Sequence, residues 1–168
     1  MALWDVEVVN RYEDRLLDCS TGELRLLGLK VIEQTLAVFG RPLEELFDPS
    51  TVSLVSESLR AFQARLALGT DSPDVWGRLF AEGYDWQDGK SPFTAASLVQ
   101  GFVQYAGFLT EDVNKGEIME VLSSCYESVL SFAAIGRTIT VEQERENPYV
   151  SGAVELQVTL IQEVCGLD

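Results

Sequence analysis

The sequence predicts an all-α fold, a single antiparallel helical bundle of about six or seven helices with residues 1–168 forming one domain. Three observations predict it. Apolar residues recur at alternating steps of three and four through most of the chain, the period of a helix with one buried face. Cap-and-proline start signals and glycine stops punctuate those stretches. No run alternates apolar and polar residues as a half-buried strand would.

The first helix is expected from about Leu3 to Asp18, with Trp4, Val8, Tyr12 and Leu16 on one side. Ser20-Thr21-Gly22-Glu23 is a capping-box pattern, in which hydroxyl and carboxylate satisfy free N–H groups. It opens a helix with Leu24, Leu27, Val31 and Val38 inward, stopped at Gly40. Asp48-Pro49 starts the next, whose stripe is Val52, Val55, Leu59, Phe62 and Leu66 and whose end is Gly69. A short helix from about Pro73 to Glu82 is closed by Gly83, and residues 83–90 (GYDWQDGK) read as a loop. Ser91-Pro92 restarts the helix. Phe93 to Leu109 carries no charge, which predicts a central helix covered on every side, with Gly101 and Gly107 permitting close packing. The longest helix is expected from about Val113 to Ile135, ended by Gly136. Thr140 caps a short acidic helix over Val141–Arg145. Asn147-Pro148 then opens the last helix, with Val150, Val154, Gln157, Ile161 and Val164 inward.

The chain has 27 acidic and 12 basic residues, a net charge of −15. A field of that sign repels phosphate backbones and anionic membrane surfaces, and it steers a basic protein partner inward. From Thr110 to Asp168 there are 11 acids against 3 bases, so this third alone carries −8. The N-terminal residues have no basic stretch followed by an apolar run, and no segment has the ~18 apolar residues of a membrane span. The three cysteines, Cys19, Cys125 and Cys165, are far apart and include no CxxC pair, so reduced thiols in a cytoplasmic protein are the expectation.

The chain contains no histidine, which removes Ser-His-Asp and Cys-His nucleophile schemes and every histidine-containing metal site. Neither GxxxxGK[ST] nor GxGxxG occurs, and Asp85-Trp86-Gln87-Asp88-Gly89 lacks the alternating acids of a calcium loop. Glu117 and Glu120 are three apart and can share a helix face, but a second set of ligands is missing. No enzymatic activity and no cofactor are expected.

The most distinctive stretch is Gly136-Arg137-Thr138-Ile139-Thr140, then Glu146-Asn147-Pro148-Tyr149-Val150, then Glu155-Leu156-Gln157. It resembles the YjaG-like family of bacterial proteins, a domain of unknown function. Weaker similarity extends over Ala95–Ser131 and at Arg15-Leu16-Leu17. The resemblance implies an all-α bacterial protein with no established enzymatic activity. The residues themselves have a sufficient structural reading: Gly136 as a helix stop, Arg137 on the last free carbonyls, Thr140, Asn147 and Pro148 as helix starts, and Gln157 as a buried amide joining two helices or a loop. Glu146 completes the motif.

These observations point to a protein-binding module, most concretely an immunity-type inhibitor of a basic toxin or nuclease. Trp76, Phe80, Tyr84 and Trp86 are the candidate anchors on a partner surface, if exposed. The alternatives are a carboxylate- or metal-dependent enzyme and a homo-oligomeric structural module.

Overall fold

A stripe at strict four-residue spacing, as in Trp4, Val8, Tyr12 and Leu16, drifts ~40° per step around a helix of 3.6 residues per turn. The chain absorbs that drift with a wider turn. In a computed structural model, a π-helical turn over Asp5–Val9 runs into α1 (Asn10–Leu16), and all four residues are buried. The structure describes residues 1–87, 93–111, 114–133 and 140–168, with the side chains of 83–87, 93 and 94 excepted.

Eight further helices follow: α2 (Thr21–Val38), α3 (Leu43–Leu46), α4 (Pro49–Leu68), α5 (Pro73–Gln87), α6 (Phe93–Thr110), α7 (Ile118–Phe132), α8 (Val141–Glu146) and α9 (Pro148–Cys165). The chain is all-α, with no strand among the described residues. The expected count of about six or seven is too low, because nine helices are present among those residues and α3, of 4 residues, is too short to show a period.

The capping signals act as read. Ser20 Oγ accepts from the Glu23 N–H at 3.1 Å while the Ser20 N–H donates to Glu23 Oε1 at 3.0 Å. Those bonds hold the Glu23 carboxyl below its ordinary range. Asp48 Oδ1 accepts from the Thr51 N–H at 2.9 Å, and Pro49 takes the first turn of α4. The chain leaves α2 through Gly40 at φ 65° and α4 through Gly69 at φ 68°, left-handed positions that other residues adopt only with strain.

Two expectations need correction. Gly83 does not close α5, which continues to Gln87, so the first part of the stretch read as a loop is helical. One glycine costs a helix interior only ~1 kcal/mol, and the packing of α5 on α6 offsets it. The uncharged α6 packs on α2, α4, α5 and α7 but is not covered all round. Ala96, Gln100, Val103 and Gly107 are half-buried, and no described residue comes within 4 Å of the Cβ position of Gly107.

Gly101 does give the expected close approach, because a Cβ there would lie 3.2 Å from Ser124 Cβ on α7. The tightest contact is at Gly28 on α2. A Cβ at Gly28 would meet the Tyr105 ring at 2.7 Å and Ile118 Cδ1 at 3.3 Å. Tyr105 cannot swing aside easily: its ring is buried and its hydroxyl donates to Arg25 O at 2.5 Å. Around this junction α2 touches α4, α6, α7 and α9, and one continuous core runs from Leu3 to Ile161.

Gly28→Ala is therefore expected to destabilise the protein by about 1–3 kcal/mol through overpacking, despite the better helix propensity of alanine. Chemical denaturation measures it. A variant as stable as the parent would show that Tyr105 has room to move.

Candidate functional site

The region carrying the distinctive motif is held by a buried polar network. Asn147 Oδ1 accepts from the N–H groups of Tyr149 and Val150 at 3.0 and 3.1 Å, starting α9. Gln157, nearly three turns later, is 1% exposed. Its Nε2 donates to Leu122 O at 2.9 Å, and its Oε1 accepts from Trp4 Nε1–H at 2.7 Å. One amide thus joins the first helix, α7 and α9. Thr140 forms a capping box with Gln143 at the start of α8, which orients that short helix. Glu144 on α8 is also 1% exposed. Its Oε2 accepts from the Leu3 N–H at 2.9 Å, and its Oε1 accepts from the Tyr126 hydroxyl. Glu144 caps the first helix from far along the chain, where a carboxylate meets the positive end of the helix dipole. Trp4 and Tyr126 stack with centroids 6.0 Å apart, closing the cluster.

This network seats the first helix so that a groove opens between it, α8 and α9. Its volume is about 230 Å³, with Leu3, Val154 and Val158 as apolar lining and Glu7, Arg11, Arg145, Ser151 and Glu155 as polar lining. Glu7 binds both arginines, Arg145 at 3.0 Å and Arg11 at 3.2 Å. Glu155 lines the groove and is exposed, as are Glu142 and Glu146 on α8, Glu163 further along α9, and Glu120 and Glu127 on α7. None of these six forms an ion pair with another described residue.

Of the motif residues, Thr140, Asn147, Pro148 and Gln157 take the structural roles read for them, and Glu146 is exposed. Gly136 and Arg137 lie outside the described residues. Of the aromatic residues offered as anchors if exposed, two have described side chains. Trp76 is buried, stacked on Phe62 at 5.6 Å, and its Nε1–H donates to Asp71 Oδ1 at 2.8 Å. Phe80 is half-buried against the core. Tyr84 and Trp86 lie on α5, with side chains outside the description.

Sequence reasoning missed Glu144, which looks like one more surface acid of a short acidic helix. It also missed that Cys19 and Cys165 meet. Both are free thiols, Cys19 buried and Cys165 half-buried, and burial and then the neighbouring Cys19 push the Cys165 thiol up. Cys125 is buried on its apolar stripe, where desolvation pushes its thiol up to about 12. Among the described residues no three of histidine, cysteine, aspartate and glutamate converge as metal ligands would, and no helix is long and apolar enough to cross a membrane.

Replacing Gln157 by leucine strands the buried Trp4 N–H and removes the second bond to the Leu122 carbonyl, and a loss of about 1–3 kcal/mol is expected in chemical denaturation. Glu144→Ala strands the Leu3 N–H, so amide exchange over residues 3–16 should accelerate more than over α6. Uniform acceleration would contradict a local tie.

The buried hydroxyls also set an alkaline limit. Desolvation holds Tyr105 above the usual tyrosine range. Desolvation, followed by the hydrogen bond to Glu144, does the same for Tyr126. These groups ionise more readily in the unfolded chain. Their contribution is full below the ordinary tyrosine pKa of about 10 and is lost as pH rises above it, with Cys125 adding to the loss from about pH 9. Stability followed from pH 7 to 12 should fall from pH 9 upward; a flat profile would contradict this.

No family model, no curated protein and no solved structure matches this chain.

Proposed function

We propose that this chain is a non-enzymatic docking protein that receives a basic protein on the acidic surface of α7, α8 and α9, in the manner of an immunity-type inhibitor of a cationic toxin or nuclease. One observation carries this reading: the exposed glutamates of this third are uncompensated, whereas its described cations are engaged. Arg145 pairs with Glu7, and Lys115 Nζ donates to Leu17 O at 3.3 Å. A surface with free carboxylates and no free cation among its described residues attracts a positive partner and raises its encounter rate.

The groove supports the same reading. Its apolar lining of Leu3, Val154 and Val158 can take one apolar side chain of the partner, and its rim carries Glu155. That arrangement, an apolar anchor ringed by charge, replaces the aromatic patch that Trp76 cannot supply. The free thiols support a cytoplasmic setting as part of this reading. Membership of the YjaG-like family belongs to this reading too, on the motif residues alone.

The test uses the chain as bait for bacterial proteins at low and at raised salt, beside the triple variant Glu142→Lys, Glu146→Lys, Glu155→Lys. All three positions are exposed, so the variant should melt like the parent. The expected result is a basic partner whose association slows at least about tenfold in the variant and in raised salt, and whose toxicity to a bacterial host co-expression relieves. Capture of acidic or neutral proteins, or binding indifferent to the three reversals, would overturn the reading. Concentration-dependent sedimentation with no partner captured would favour a self-associating module instead.

A further inference from the structure

The two thiols at the junction of the first and last helices form a chemical unit. The Cys19 thiol donates to Arg15 O at 3.9 Å, and Cys165 is near enough for Cys19 to bear on its thiol. A second contact fixes the same two segments independently: Arg15 Nη1 donates to Asp168 O at 2.8 Å. Gln162 Nε2 adds a third, donating to the Tyr12 hydroxyl at 2.9 Å. Cys19 lies in the turn between α1 and α2, and Cys165 is the last residue of α9. Neither is held inside a regular helix on both sides, so both backbones can make the small adjustment that disulfide geometry requires.

We propose that Cys19 and Cys165 are a redox-modification site, oxidised by hydrogen peroxide to an intrachain disulfide that locks the first helix onto α9. Cys165, the more exposed thiol, reacts first. Its thiolate sulfur attacks one peroxide oxygen; the S–O bond forms, the O–O bond breaks, and the released hydroxide takes the Cys165 proton as water. The Cys19 sulfur then attacks the Cys165 sulfenic acid. The S–S bond forms, the S–O bond breaks, and the second hydroxide leaves as water with the Cys19 proton. Two thiols lose two electrons, and one peroxide becomes two waters.

The environment sets the tempo. Burial, then the neighbouring Cys19, push the Cys165 thiol up to about 12. Only a small thiolate fraction exists near neutral pH, so the site answers sustained oxidation and not a brief pulse. The closed loop includes most of the chain, which removes much freedom from the unfolded state. It also fixes the helix that forms one wall of the groove.

The test treats the whole folded chain with hydrogen peroxide and follows intact mass and tryptic peptides without reduction. The expected product has lost two hydrogens and links peptide 16–25 to peptide 146–168, with Cys125 still alkylatable. Its melting midpoint should rise by about 5–10 °C and return to the starting value with dithiothreitol. The rate should increase about tenfold per pH unit between pH 7 and 9. Cys165→Ser and Cys19→Ser should each abolish the mass change, and Cys125→Ser should keep it. Sulfinic acid without a crosslink, a disulfide between two chains, or a linkage through Cys125 would overturn the proposal. So would a disulfide that leaves the melting midpoint unchanged.

Discussion

The buried junction of Gln157, Trp4, Glu144 and Tyr126 is the constraint on which the groove and the order of the helices depend. Each of these polar groups is removed from water, and each has a partner in the described structure. A buried amide or carboxylate with no partner costs more than the bond it would have made, so the junction is satisfied only when four elements arrive together. It therefore selects one arrangement of the first helix, α7, α8 and α9 over others that would bury the same apolar stripes. The apolar core supplies most of the driving force; this junction supplies the choice.

Charge is divided between inside and outside in a related way. Many of the 12 cationic side chains are used to tie the molecule to itself. Arg15 reaches Asp168 O, Arg25 reaches Phe108 O, Arg78 pairs with Glu57 and Glu82, and Arg145 pairs with Glu7. These contacts are exposed or partly exposed, and each alone is worth little. Their joint effect is on the field: these four cations are engaged within the chain, and the surplus of acid faces outward. Such a surface opposes self-association of the acidic third and favours approach of the opposite sign.

The local grammar of the fold was legible, and its long-range chemistry was not. Ser20-Glu23, Asp48-Pro49, Thr140 and Asn147-Pro148 name helix starts because a cap needs only its own next three residues. Gln157 was recognisable as buried because it interrupts an apolar stripe at helical spacing. Glu144 gave no such signal, since its partners are a backbone N–H at Leu3 and a hydroxyl on α7. The meeting of Cys19 with Cys165 is likewise a property of the packed helices and not of their spacing. Trp76 was open to two readings. An aromatic residue in a polar stretch can anchor a partner or cover the core, and only the packed helices show its ring stacked on Phe62.

The tie between Trp4 and Gln157 crosses 153 positions of the chain, and that between Leu3 and Glu144 crosses 141. A growing polypeptide makes the first helix before these partners. Until α8 and α9 have left the ribosome, the Trp4 Nε1–H and the Leu3 N–H lack the groups that bind them. Assembly of this corner is thus deferred until α9 has been made, because loops of 141 and 153 positions must close to form it. The interval between making the first helix and burying it is when the chain is most exposed to misassociation.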